Sequence, residues 1–447
     1  MHKKRAIGIF DIGKTNKKFF LFDSAYNIVY ERQKNLPETE DEDGFPCEDV
    51  EALTSFLYES LDDASAHAEY TIEALNFSAY GASWVLTDEK LHPVAPLYNY
   101  LKPLDENLSK AFYAKYGGSE KIALETSSPT LACLNSGMSL YAIKKQKRQF
   151  ADMHFALHLP QFLSAAFSKR AFSDLTSIGC HTQLWNFAKN NYHQWVFDEG
   201  LSQKLAPIVD ADHIENCEWQ GLNLKIGVGL HDSSSALIPY LKGIKKPFVL
   251  ISTGTWCISL NPFNNAPIAA DELKKDCLNF LSFEGKPVKA SRLFAGHFHE
   301  EETKRLADHF KKPLDYYKKI EFNNELDWML PEVNLGEFEP LNLSQYATYP
   351  LAYQALMAQI VAQQIVSTKL VLQEKETPLL FVDGGFSQNP IFMHLLSKAF
   401  PEAKVYAALV PQASALGAAL ILHQFWNPNS LPENLISFKL FESNPKD

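Results

Sequence analysis

Paired cysteines are missing from this chain. Its six, at positions 47, 133, 180, 217, 257 and 277, are scattered and form no C-x-x-C, so neither a zinc knuckle nor a disulfide framework is implied. A reducing cytoplasm is the expected compartment. Positive charge is also scarce: 42 Lys and Arg against 53 Asp and Glu leave a formal net charge of -11, which would repel a phosphate backbone and argues against a general nucleic-acid surface. There is no long uninterrupted apolar run. The most membrane-like segment, Leu351 to Gln373, contains Gln354, Gln359, Gln363, Gln364 and Lys369, and reads as a buried helix after Pro350. The start, MHKKRAIGIFDIG, is basic, but Asp11 and Lys14 break its apolar stretch, unlike a signal peptide. The sequence contains no G-x-G-x-x-G after a strand, no G-x-S-x-G and no H-E-x-x-H, so the commonest dinucleotide, hydrolase and zinc-protease signatures are excluded.

What is present suits a large globular enzyme. The 447 residues are 46% hydrophobic and 21% charged, enough for two sizeable lobes, with a boundary expected near residue 240, after GLHDSSSALIPYLKG. This gives an N-terminal lobe over 1–240 and a C-terminal lobe over 241–447. Strand signals open the chain as a meander, Ala6–Phe10, Lys18–Phe22 and Asn27–Tyr30. A helix is expected over Asp49–Ser65, strands over Ile72–Phe77 and Trp84–Thr87, and helices over Ser139–Gln149 and Leu159–Ser168. Val228–Gly229 and Phe248–Ser252 restore strand character, and Leu379–Val382 reads as a buried strand. Asn389 as N-cap and Pro390 at the first helical position begin a helix with an apolar stripe of Ile391, Phe392, Leu395, Leu396 and Ala399. A further helix is expected from Pro411. The basic run Lys144, Lys145, Lys147, Arg148 reads as a solvated helix end, and the acidic run Glu38–Asp43 as an exposed loop.

Four turns carry polar chemistry. IFDIGKTNKKFFLFD places Asp11, Gly13, Lys14, Thr15 and Asn16 between two apolar strands. Gly13 admits close backbone approach, Thr15 and Asn16 offer donors, Lys14 adds charge, and Asp11 makes sense beside phosphates when a hard divalent cation lies between them. ISTGTW repeats the pattern with Thr253, Gly254 and Thr255; the echo of strand, Gly/Thr turn, strand suggests an internal duplication. FVDGGFSQNP joins a buried strand to a capped helix, and its paired glycines, Gly384 and Gly385, could form a flat floor for an adenine or ribose, with Gln388 and Asn389 following. In GVGLHDSSSAL, Asp232 stands at a strand end as a candidate general base toward a hydroxyl, or as a helix cap, or both. His297 and His299 in GHFHEEE have a spacing that could bind metal, but a solvated helix start is the simpler reading.

Taken in this order and spacing, DIGKTN, HDSSSA, STGTW and DGGFSQNP…VPQASALGAA resemble the motifs of the FGGY family of carbohydrate kinases, within the sugar kinase, heat-shock protein and actin superfamily. The resemblance spans essentially the whole chain. It implies an α/β fold of two actin-like, ribonuclease H-like lobes with a central cleft, the sugar held mainly by the N-terminal lobe and ATP mainly by the C-terminal one. It implies ATP and Mg2+ as cofactors, with Asp11 near the metal and Asp232 as base. Gly13, Lys14, Thr15, Asn16, Thr253, Gly254, Thr255, Gly384, Gly385, Gln388 and Asn389 are the expected nucleotide contacts. Tyr80, Gly81, Ala82, Asn99, His231 and Asp232 are the expected sugar contacts.

Within the family the chain is most similar to the rhamnulose and fuculose kinases, through FSAYGASWVLTDEKLHPVAPLYNY, TSIGCHTQLWNF and STGTW. Where those kinases often carry an acid, this chain has Ser83, which suggests a less polar pocket and a 6-deoxyketohexose such as L-rhamnulose or L-fuculose. L-Ribulose or D-xylulose is the alternative substrate, and a non-catalytic sugar or nucleotide sensor is the alternative of another class. Lys14 replaces a usual Thr, Ser or Ala, and Gln412 a frequent Glu. The expected partner is a small-molecule sugar, with no nucleic acid and no membrane, and a homodimer is left open.

Overall fold

Strands in which nearly every side chain is apolar imply a sheet covered on both faces. The computed structural model, which describes residues 3–67, 69–323, 330–373, 379–410 and 412–442, has two such sheets. The first contains β1 (Lys4–Ile12), β2 (Lys17–Asp23), β3 (Ile28–Lys34), β4 (Tyr70–Ala79), β5 (Ile214–Trp219) and β6 (Leu222–Gly227) in the order β5-β6-β4-β1-β2-β3, with the short β7 (Leu230–His231) also paired to β4. β1, β2 and β3 form an antiparallel meander, whereas β1 and β6 run parallel to β4. The second contains β8 (Phe248–Thr253), β9 (Cys257–Asn261), β10 (Cys277–Leu281), β11 (Pro287–Leu293), β12 (Leu379–Gly384), β13 (Lys404–Leu409) and β14 (Ser437–Phe441) in the order β10-β11-β9-β8-β12-β13-β14.

The duplication suggested by two short turns is thus a duplication of topology. β8, β9 and β11 repeat the antiparallel meander, and β12 lies parallel beside β8 as β4 does beside β1. One face of the first sheet is built on aromatic packing: Phe10 stacks on Phe77 with ring centroids 5.7 Å apart and on Phe167 at 6.0 Å. Helix α1 (Val50–Ser65) starts where Asp49 accepts a hydrogen bond from Ala52 N, and α2 (Leu159–Ser168) ends where Lys169 turns left-handed.

By contacts the chain forms two compact units, each assembled from three stretches. The first is Met1–Gly243 with Asn279–Pro287 and Pro411–Leu435; the second is Ile244–Leu278 with Val288–Val410 and Ile436–Asp447. The first break falls close to the expected residue 240, but the expected continuous lobe 241–447 is not what is observed. Residues in 411–435 belong to the first unit because α7 (Ala413–Ile421) packs on α3 (Asp232–Gly243). A Cβ on Gly417 would lie 1.9 Å from the Ser235 carbonyl oxygen, so only glycine permits this approach. In the second unit, α4 (Ala295–Phe310) and α5 (Tyr349–Val371) precede α6 (Pro390–Ala399).

Local readings differ from the sequence in a few places. Val228–Gly229 is not a strand but the link between β6 and β7. Gly229 has φ +85°, and a Cβ there would meet the Pro160 carbonyl oxygen at 2.5 Å. The helix expected from Pro411 begins at Ala413, since Gln412 is left-handed with φ +52°; Pro411 lies outside the described residues. The basic and acidic runs are neither simply solvated nor simply exposed. Lys144 and Lys145 converge with Lys115 on the buried Glu199 carboxylate, whose pKa they hold far below the usual range against the opposing effect of burial, while Lys147 reaches Glu42 and Asp43. Among the described residues no helix is long and apolar enough to cross a membrane, and no disulfide joins the cysteines.

Candidate active site

In the first unit β1 delivers Asp11 to the end of the sheet, opposite Lys18 on β2 and Ser78 on β4. The Asp11 carboxylate accepts a 3.0 Å hydrogen bond from Ser414 Oγ on α7. Burial pushes its pKa up to about 6, a shift the Ser414 bond opposes, the negative charge of Asp232 reinforces and Lys18 opposes in turn. A carboxylate held unfavourably ionised beside a second acid is chemically suited to a hard divalent cation, so these residues fit the Mg2+ implied by the sequence.

The turn after Asp11 is fixed from within. Gly13 N donates to Asn16 O at 2.9 Å, and the buried Lys17 ammonium donates to the carbonyl oxygens of Gly13 and Lys14 while pairing with Glu48 at 2.9 Å. Lys14 is paired with Glu38 at 2.8 Å and Glu48 at 3.5 Å, so a phosphate would compete with two carboxylates for it. Thr15 and Asn16 are exposed, and Asn16 accepts a hydrogen bond from Gln33. The sequence reading missed Lys17 and Glu48; the available signal was the second lysine pair in GKTNKK, one member of which had to be buried by strand alternation.

β4 ends in Tyr80-Gly81-Ala82. The Tyr80 hydroxyl donates to Glu48 at 2.7 Å, and Ala82 takes a left-handed φ of +64°. A Cβ on Gly81 would come within 3.0 Å of both Cys180 Sγ and His231 Nε2, so glycine here leaves room beside the His231-Asp232 segment. Ser83 is buried, and its hydroxyl has no hydrogen-bond partner. His231 is buried, which lowers its pKa despite the neighbouring Asp232 and leaves it neutral; its Nε2 lies 3.3 Å from Asp232 Oδ1. Asp232 is the first residue of α3 and accepts from Ser233 N at 2.6 Å, yet its side chain is 36% exposed, so it still offers carboxylate to solvent. Tyr100, missed in the sequence, is near enough for Asp232 and Glu48 to raise its pKa after burial has done so. Asn99 is not brought to this group by its contacts: it donates to Pro46 O, accepts from Leu101 N and lines a separate cavity with Lys102 and Cys133.

In the second unit a cavity of about 440 Å3 is lined by Thr253, Gly254, Gly296, His299, Tyr317, Lys318, Gly385, Phe386, Gln388, Asn389 and Pro390. It unites the STGTW and DGGFSQN turns. Thr253 Oγ1 accepts from Phe386 N at 3.0 Å and donates to Asp383 O. Gly384 has φ +81°, and a Cβ would stand 1.9 Å from Thr253 O, whereas Gly385 faces open space. Asn389 caps α6 through Ile391 N and Phe392 N, and its amide donates to the Tyr353 hydroxyl, so its role is to hold the floor. Thr255 is exposed beside this turn, with its carbonyl accepting from His297 N. His299 lines the cavity and bonds Tyr353 at 3.0 Å; His297 and His299 lie on α4 and are not a metal pair among the described residues.

Residues 245–430 match the family model described as carbohydrate kinase FGGY, C-terminal domain. That match covers less than half of the chain. No curated protein matches the chain closely enough to count as a relative. Among solved structures the chain is similar to a carbohydrate kinase from Novosphingobium aromaticivorans, with 20% identity, a TM-score of 0.78 and coverage of 99% of this chain and 95% of that one. It is also similar to ligand-bound xylulose kinase from Lactobacillus acidophilus, with 14% identity, TM-score 0.80 and coverage of 99% and 94%. Glycerol kinase from Plasmodium falciparum with ADP gives 15% identity, TM-score 0.74 and coverage of 95% and 90%. At these identities the likeness establishes a shared two-lobed α/β fold over the full length.

Proposed function

We propose that this protein is a carbohydrate kinase of the FGGY family that transfers the γ-phosphate of ATP to a hydroxyl of a ketose, with Asp232 as general base. The observation that carries the reading is the grouping of Asp232, neutral His231 and the cation-seeking Asp11 in one unit. Asp232 takes the proton of the sugar hydroxyl, the sugar oxygen bonds to the γ-phosphorus, and the bond from that phosphorus to the bridging oxygen breaks to release ADP. Asp11 would hold Mg2+, which when bound supplies charge compensation to the phosphates. The 440 Å3 cavity of the second unit is assigned to the nucleotide.

For the acceptor, the favoured class is a 6-deoxyketohexose, L-rhamnulose or L-fuculose. Around His231 stand Cys180 and Phe280, the latter with its ring 5.7 Å from the imidazole, surfaces on which a methyl rests without stranding a hydroxyl. Glu48 favours a second reading. Its buried carboxylate at Tyr80 supplies an acid the sequence lacks at Ser83, which would suit a more hydroxylated pentulose. ADP release across ketoses and polyols decides. Tenfold preference for L-ribulose, D-xylulose or glycerol, about 1.4 kcal/mol in transition-state binding, selects the second reading. Tight sugar and ATP binding by calorimetry without product would instead make the protein a sensor.

A further inference from the structure

Behind Asp232 lies a cluster that shares Cys180 and His231 with the proposed sugar pocket. Cys180, His181 and His231 are all buried, and one ligand atom from each lies within 4.8 Å of the others. The two loops are fixed in place. Asn135 donates to His181 O at 2.7 Å, Gly137 N donates to Thr182 O at 2.9 Å, and His231 N donates to Thr176 Oγ1 at 3.0 Å. His181 itself is held at a left-handed φ of +38°, a conformation that persists only where the surroundings enforce it.

The hydrogen bonding sets the imidazoles for a metal. His181 Nδ1 is 3.0 Å from the Leu134 carbonyl oxygen, which can only accept, so Nδ1 carries a proton and Nε2 is the nitrogen that would meet a metal. His231 is held neutral by burial, and its Nδ1 is buried without a hydrogen-bond partner. A thiolate and two imidazoles form a borderline-soft donor set, which selects zinc over the hard magnesium of the kinase reaction. The Asp232 carboxylate lies 3.3 Å from His231 Nε2, next to the cluster.

We propose that Cys180, His181 and His231 form an inhibitory zinc site whose bound cation, beside Asp232, weakens Asp232 as a base and slows transfer. This consequence rests on the assignment of Asp232 as base; the site itself does not. Binding is not a redox event: Zn2+ replaces the Cys180 thiol proton, which leaves to solvent, and both imidazoles bind neutral.

The experiment titrates chelator-stripped full-length protein with Co2+ and with Zn2+, each alone, in the presence of excess Mg2+. Expected are one equivalent of tight binding, a near-ultraviolet thiolate-to-cobalt charge-transfer band, and loss of that band in C180S but not in C217S, whose cysteine lies elsewhere. H181Q provides a second variant if C180S does not fold. Absence of the band from the wild type at one equivalent, or its survival in both C180S and H181Q, overturns the site. In the sugar-dependent assay, turnover should fall in proportion to zinc occupancy and return with chelator. Undiminished turnover at full occupancy overturns the inhibitory role. If no sugar is turned over at all, the kinase assignment fails while the cobalt spectrum still decides the site.

Discussion

Asp232 and Asp11 are both carboxylates at strand ends in the same unit, yet their surroundings ask different things of them. Asp232 is partly open to solvent and is expected to accept a proton in transfer. Asp232→Asn should therefore lower kcat by roughly two to four orders of magnitude with little change in sugar affinity, measured by steady-state kinetics and calorimetry; near-wild-type turnover would remove it from the mechanism. Asp11 is held in its site at the expense of its charge. Since its folded-state pKa is raised from 3.8 to about 6, the folded protein retains a proton there that the unfolded chain has lost, and stability falls as pH rises through that window. Above it the buried charge is a standing penalty of up to about 3 kcal/mol. Asp11→Asn should then raise the denaturant midpoint of the ligand-free protein at pH 7 while abolishing most turnover. A midpoint equal to or below that of the wild type would show that Asp11 carries no such penalty.

At the level of elements, each glycine turn depends on a contact outside it. The DIGKTN turn is tied by Lys17, a nearly fully buried ammonium whose carboxylate partner is Glu48. Glu48→Ala strands that charge and should cost about 3–5 kcal/mol in chemical unfolding, with Glu48→Gln intermediate. In the second unit, Gly384→Ala would force a side chain at φ +81° against Thr253 O, and ADP affinity by calorimetry should fall tenfold or more, with sugar binding unchanged. Helix α7 is set by Gly417 against Ser235. Gly417→Ala should destabilise by about 1–3 kcal/mol and, by displacing Ser414 from Asp11, change the apparent magnesium requirement in the same assay. The strands, the Asn389 cap and the helices Asp49–Ser65 and Leu159–Ser168 were legible because each is specified by neighbours in sequence: alternation, a capping side chain, an apolar stripe. Glu48, Tyr100, Cys180 and Ser414 were not legible, because what makes each of them matter is a partner brought close only by the fold.

For the molecule as a whole, the repeated meander with its parallel neighbour could be suspected from two echoed turns, and the first break could be placed near residue 240. That residues 411–435 return to the first unit could not, since nothing in their composition distinguishes them from the chain around them. The bond from Ser414 to Asp11 spans 403 positions. During translation the sheet that carries Asp11 is made first but must wait for nearly the last helix to cover it, so the nascent chain carries an unfinished apolar surface through most of synthesis. A fragment ending at Gly243, although it contains the whole first sheet, should fail to fold cooperatively. Adding residues 411–435 in trans, or joining them through a circular permutation, should restore a sharp melting transition.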